Sequence, residues 1–272
     1  MKIYDMHIHI SSKKSEQNYL LEQMEKSGVY GGAIISAQPE ETTADLYSMP
    51  FKERLDNVLQ WTKSQNDRLF PVLWVHPEET DITQKVKFAA NEGISAFKIM
   101  CDTFSVYSDK CLKLIEAIEE TGKPIIFHSG ILYCGKDTSK YNRPVDWECM
   151  LNFENIRFSM GHCSWPWHDE CIAVYGKFAH FAKRKESAEM FFDITPGTPK
   201  IYRKELFTKL FTVGYNVDNN IMFGTDSYAH NYNVSRVCDW IGFDNDILDE
   251  LCISEEVRKN IYENNFMRFL KG

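Results

Sequence analysis

Two periods alternate along the chain. Short apolar, β-branched or aromatic runs occur at residues 2–10, 32–36, 69–76, 94–100, 124–128, 156–162, 190–195 and 221–226. Several are apolar almost throughout, the pattern of strands covered on both faces. The stretches between them have helical spacing. Ser15 is placed to cap a helix that Gly28 stops, and residues 51–65 carry Leu55, Val58, Leu59 and Trp61 on one side. Asp81 is placed to cap 82–91, with Gly93 as terminator, and 109–121 align Leu112, Ile115 and Ile118 before Gly122. Segments 145–153, 167–185 and 200–213 read the same way, and helices at 233–241 and about 254–270 follow, the last with Ser254 as its cap.

Strand–helix alternation repeated eight times, with no second compositional regime, predicts an α/β fold: a parallel sheet with helical crossovers. The economical architecture is a (β/α)8 TIM barrel with additional C-terminal helices, residues 1–272 forming one domain. A doubly wound open sheet is the competitor, but the Gly-rich phosphate-binding turn expected after its first strand is absent.

Composition narrows the function. The 272 residues are 43% hydrophobic and 14% aromatic, enough to fill a large core. A formal net charge of -8 argues against nucleic acid as a partner. No window approaches the roughly 18 apolar residues of a membrane helix. The eight cysteines are scattered without a CxxC pair, and the chain runs straight into a strand without a leader. Free thiols in a cytoplasmic, reducing setting are therefore expected. The expected partners are a small-molecule substrate and other copies of the chain, as a homo-oligomer.

The candidate chemistry lies at the ends of the apolar runs, where a barrel of parallel strands builds its active site. Alternation along the first strand places Asp5, His7 and His9 on one face, the two imidazoles about 7 Å apart. His76 closes the third run, Lys98 lies near the end of the fourth, and His128 and His162 end the fifth and sixth. Asp193 falls at the end of the seventh and Asp226 at the end of the eighth. Either aspartate would also serve as a turn residue, and a lone strand-end histidine is more often a hydrogen-bonding residue than a ligand. His180, between Phe178 and Phe181, reads as structural. The joint pattern carries the argument, since five of eight histidines fall at strand ends.

These residues resemble the amidohydrolase superfamily, whose members carry HxH on strand one, His on strands five and six, and Asp on strand eight of a (β/α)8 barrel. Here those are His7 and His9, His128, His162 and Asp226. The stretch 161–170 (GHCSWPWHDE) resembles the strand-six signature of the amidohydrolase-2 group, and residues 260–270 resemble its C-terminal helix. That group includes decarboxylases related to aminocarboxymuconate semialdehyde decarboxylase. PHP phosphoesterases and TatD-like nucleases open with a similar DxHxH. However, the Asp226–His230 spacing is wrong for the first, and Lys98 stands where the second places a Glu.

The resemblance implies a Zn2+ ion held by His7, His9, His128 and Asp226, a donor set that leaves room for water. Another divalent metal would suit the same donors. Asp226 is then the proton shuttle, and His162 steadies the substrate oxygen. One ion is favoured. Two ions would be bridged by a carboxylated Lys98, with His162 joining the ligands. Asp5 is expected deeper in the barrel, supporting the ligands. Loops 37–50, 101–108, 129–144 and 164–169 are the longest after the strands. His76, Tyr133, Arg143 and Trp165 are the substrate-binding candidates, and Lys136 and Trp167 lie in the same loops. Aromatic walls with one or two cations fit a small planar or carboxylate-bearing substrate. The leading expectation is hydrolysis of an amide, ester or lactone. The alternatives are non-oxidative decarboxylation of an aromatic or unsaturated acid, which a guanidinium near the metal would favour, and a non-catalytic metal-binding barrel.

Overall fold

The computed structural model of the chain describes residues 1–11, 14–43, 47–181 and 188–272. Its strands are β1 (Tyr4–His9), β2 (Gly31–Ile35), β3 (Leu69–Trp74), β4 (Ala96–Ile99), β5 (Ile125–Phe127), β6 (Arg157–Met160), β7 (Glu189–Asp193), β8 (Ile221–Met222) and β9 (Ser227–Tyr228). They form one parallel sheet in the order β8-β7-β6-β5-β4-β3-β2-β1-β9. The eighth barrel strand is broken in two. β8 pairs with β7 and β9 with β1, while Met6 N–H donates to the Phe223 carbonyl at 2.9 Å across the gap. The curled sheet is thus closed by two short pieces where the sequence pattern predicts one run at 221–226.

The helices α1 (Gln17–Lys26), α2 (Phe51–Thr62), α3 (Ile82–Asn91), α4 (Asp109–Glu119), α5 (His168–Phe181), α6 (Lys200–Thr212) and α7 (Val234–Glu250) alternate with the strands. The expected continuation of the helix at 167–185 beyond Phe181 lies outside the described residues. The crossover between β5 and β6 departs from expectation. It is a 3-10 helix over Pro144–Asn152 rather than an α-helix. Pro144, Trp147 and Met150 are all buried, and that spacing of three suits a helix with three residues per turn. Asp81 lies at a left-handed position (φ 55°) and makes no side-chain cap, whereas Ser254 accepts from the Val257 N–H and caps α8 (Glu255–Lys259).

Apolar residues sort into two clusters. Strand residues such as Ile34, Leu73, Phe97, Phe127 and Phe158 face the helices, while Met6, Ala33, Val72, Ala96, Ile126 and Phe191 fill the barrel interior. Each large side chain removed from water contributes about 1.5–3 kcal/mol. The last helix, α9 (Asn265–Lys271), adds Phe266, Phe269 and Leu270 to the interior cluster, with Phe266 stacked on Tyr4 at 4.8 Å. Tyr4 begins β1, so α9 plugs the N-terminal end of the barrel and the C-terminal end stays open.

β1 carries an extra residue. It pairs Asp5 with Gly32 but Ile8 with Ile34, three steps against two, as in a β-bulge. The faces swap there. Met6 belongs to the interior cluster and Ile8 to the outer one, so His7 and His9 point into the barrel while Asp5 points out of it. Simple alternation, which puts Asp5 on the face of the histidines, is corrected by this one inserted residue.

Candidate metal centre

A cavity of about 450 Å³ opens at the C-terminal end of the strands, and His7, His9, Lys98, His128, His162 and Asp226 border it. Among the described residues one cluster of metal-type donors occurs: His7, His9 and Asp226, whose ligand atoms all lie within 4.8 Å of one another. Asp226 Oδ1 is 3.5 Å from His9 Nε2 and 4.0 Å from His7 Nε2. Three of the four expected ligands are therefore brought together. His128 stands beside them, packed edge-on against His162 at 5.1 Å, and His162 is 5.4 Å from the His7 ring.

Buried acids hold this arrangement. His7 Nδ1–H donates to Asp193 Oδ2 at 2.8 Å, which leaves the Nε2 lone pair facing the cluster. Burial opposes the charge of Asp193, but His7 outweighs it and the carboxyl is held at about 2. The other oxygen of Asp193 accepts from the Thr195 N–H and hydroxyl. Asp5 works from the outer face. It accepts from Thr225 N–H at 2.9 Å, the Thr225 hydroxyl at 2.5 Å, Tyr232 OH at 2.9 Å and His7 N–H at 3.1 Å. Burial raises its pKa to about 6 despite these four donors. Asp5 thereby staples β1 to the break in the eighth strand, and Asp226, next in the chain, takes a left-handed backbone (φ 54°). His162 (φ 59°) does the same after β6. Left-handed backbone at non-glycine residues is costly and collects at functional sites.

Close packing demands two glycines here. A Cβ on Gly224 would lie 2.2 Å from Thr195 Oγ1 and crowd His7 and Asp193, and one on Gly197 would lie 2.8 Å from His162 Cβ.

The electrostatics suit a cation. Burial, then the charge of neighbouring His7, lowers the pKa of His9 to about 3, and burial also lowers those of His128 and His162. Neutral imidazoles are the form that binds metal. For Asp226, burial works against ionisation but His7, His162 and His9 outweigh it, so its carboxyl lies below the ordinary range. Lys98 Nζ donates to His7 Nε2 at 3.3 Å, and burial pulls its pKa down to about 8. His128 Nε2 and His162 Nδ1 are buried with no hydrogen-bond partner. Buried nitrogens such as these call for a partner, and converging lone pairs call for a cation. The donor set fits a divalent ion.

The remaining candidates divide. Tyr133 and Trp165 border the cavity, with Trp165 stacked on Tyr202 at 4.9 Å. His76 does not border it: its Nε2 faces Asp102 at 3.3 Å and its ring packs edge-on against Phe104. Nor does Arg143, which pairs with Glu170 and lies 4.6 Å above the Trp167 ring. Lys136 reaches across to the Thr43 carbonyl at 2.9 Å. Asp193 is the part of the site for which the sequence leaves a strand-end site residue and a turn residue equally open. Its place at a strand end was the only signal, and the same signal marks Asp226.

Solved structures share the fold at low identity. A probable 2-pyrone-4,6-dicarboxylic acid hydrolase from Acinetobacter baumannii, with citric acid bound, has TM-score 0.65 and 11% identity, covering 100% of both chains. Dihydroorotase from Campylobacter jejuni has TM-score 0.58 and 14% identity over 98% of this chain and 82% of its own. A D-hydantoinase has TM-score 0.64 and 10% identity over 98% and 70%. A search of curated proteins gives no match. The family profile described as amidohydrolase matches residues 4–272, and with that match over nearly the whole chain, the protein belongs to the amidohydrolase family.

Proposed function

We propose that the protein is a metal-dependent hydrolase of an amide, ester or lactone bond in a small molecule, with one zinc ion as cofactor. The observation that carries this reading is the convergence of His7 Nε2, His9 Nε2 and Asp226 Oδ1 at the open end of the barrel. Nitrogen and oxygen donors in this number suit zinc and leave a position for substrate. When bound, such an ion supplies Lewis acidity and brings the pKa of water toward ~7. His128 stands within reach as a further ligand.

The chain's own residues supply the rest. Asp226 is 36% exposed, the most open of the three donors, and turns Oδ1 toward the histidines. Its second oxygen is free to take a proton from the attacking water and deliver it to the leaving group. His162, neutral and bordering the cavity, donates from Nε2 to the substrate carbonyl oxygen and steadies the charge that develops there. Asp193 and Asp5 hold their partners in place before substrate arrives. Lys98, hydrogen bonded to His7, leaves a single cluster of donors and supports one ion over two. Among the described residues no arginine borders the cavity, which favours hydrolysis over decarboxylation.

The test is metal analysis of the purified protein together with a panel of amides, esters and lactones. About one equivalent of zinc and hydrolysis abolished by chelation are expected. Turnover that survives chelation sinks the reading. Two equivalents would move Lys98 and His162 into the ligand set, and CO2 release without uptake of water would replace hydrolysis by decarboxylation.

A further inference from the structure

The cavity is chemically divided. Every charged or imidazole side chain on its described surface belongs to the floor: the four histidines, Lys98 and Asp226. The rest of the lining joins apolar Ile10, Ile131, Leu132, Tyr133, Trp165 and Pro196 to uncharged polar groups such as Gln38, Tyr47 and Tyr228. Among the described residues, the cations of these loops have other partners. Lys136 is bound to the Thr43 carbonyl and Arg143 to Glu170, while Arg236 is exposed and reaches only the Asp226 carbonyl, at 3.4 Å. A carboxylate seated against this wall would give up water and meet uncharged groups but no described cation, so its charge would be poorly compensated.

We infer that the outer wall selects a substrate whose body is uncharged and hydrophobic, an aryl or branched alkyl group joined to the carbonyl that meets the floor. This rests on the hydrolase reading for the role of the floor, and on the wall alone for the preference. The space agrees. A cavity of about 450 Å³ is roughly three times the ~150 Å³ pocket that takes one benzene ring, so a ring with a further ring or chain fits. Pockets of this size and lining bury most of a small ligand's surface. The wall is also braced for such a body, since Trp165 is backed by Tyr202 at 4.9 Å and His168 at 5.2 Å. Of the planar or carboxylate-bearing substrates that the loop composition allows, the wall favours the planar, neutral kind, since the described loop cations Lys136 and Arg143 are held by other partners.

Two aryl ketones of matched shape, 4-methylacetophenone and 4-acetylbenzoate, test the inference by calorimetric titration of the purified protein. The titration is repeated after chelation, so that direct capture of the carboxylate by metal is recognised and removed. The neutral ketone should bind at least tenfold more tightly after chelation. Leu132→Arg should narrow or reverse that ratio by about tenfold. Tyr133→Arg, at a position 81% exposed where folding is not at risk, should shift it the same way by less. A carboxylate preference that persists after chelation overturns the inference. So does saturable binding of neither ketone, or a ratio that neither arginine moves. Ketones of this kind are not hydrolysed, so the result does not depend on turnover. A protein that binds the neutral ketone yet hydrolyses no ester, lactone or amide overturns the hydrolase reading alone.

Discussion

The two sides of the cavity floor hold the same residue type by different partners. On the β1 side His7 is fixed by Asp193, and Asp5 fixes the chain that carries Asp226. On the β5–β6 side His128 is held through its other nitrogen by the Ile131 backbone, while His128 Nε2 and His162 Nδ1 are buried without a hydrogen-bond partner. A buried polar atom left unpaired costs about 1–3 kcal/mol, so the second pair is held at some expense by its surroundings. The difference teaches that an imidazole at a strand end is not a role in itself. A buried acid orients His7 and the Ile131 backbone orients His128, so the partner on the far nitrogen sets how each near nitrogen is presented.

The sharpest way to break this comparison is to substitute on each side. Asp226→Asn should lower kcat/KM by roughly 100- to 10,000-fold, the range for loss of a proton-transfer group. His7→Ala should also remove the metal from a protein whose circular dichroism is unchanged. His128→Asn should weaken metal binding by less. If metal is lost equally from the His7 and His128 variants, the two sides do not differ as proposed.

A smaller effect is expected one step behind the ligands. Asp193→Asn removes the acceptor that orients His7, and metal affinity should fall about 10- to 100-fold. Competition with a chromophoric chelator measures this. An unchanged affinity would mean that packing around Gly224 orients His7 without the acid.

The smallest effect concerns acid stability. His9 titrates at about 3 and His128 well below its usual value, so both are neutral in the folded protein near pH 5. In the unfolded chain they protonate near 6.5. The unfolded state therefore binds more protons, and stability present above about pH 6.5 is lost as pH falls toward 3. Each contributes a slope of about 1 kcal/mol per pH unit in the metal-free protein. Asp193, held at about 2, adds little slope above about pH 5. Denaturant titrations between pH 4.5 and 7 should show a shallower dependence in His9→Gln, and an unchanged slope would place a proton on His9 in the folded state.

Much of the fold was legible because its signals are local. The apolar runs around Ile34, Val72, Ile99 and Phe158 can be satisfied only by strands covered on both faces, and stripes such as Leu114, Ile115 and Ile118 only by helices laid over them. Residues that end such runs must lie at one end of a parallel barrel, so His7, His9, His162 and Asp226 could be named before any coordinates. The Pro144–Asn152 segment was less legible. Apolar spacings of three and four look alike over nine residues, and a 3-10 helix exploits the first.

The sequence by itself determined the alternation of strand and helix, and which residue types gather at the open end. Tertiary structure alone decided which way those residues point and what they touch. The bulge that turns Asp5 away from His7 and His9 exists only as a mismatch of register with β2. Asp5 meets Thr225 across 220 residues and His7 meets Asp193 across 186, contacts that no local pattern encodes. Arg143 and His76 stand in the right loops but were drawn to Glu170 and Asp102, because an ion pair or buried hydrogen bond nearby outweighs an open cavity. Periodicity is a property of neighbours along the chain; partners are chosen when the barrel closes.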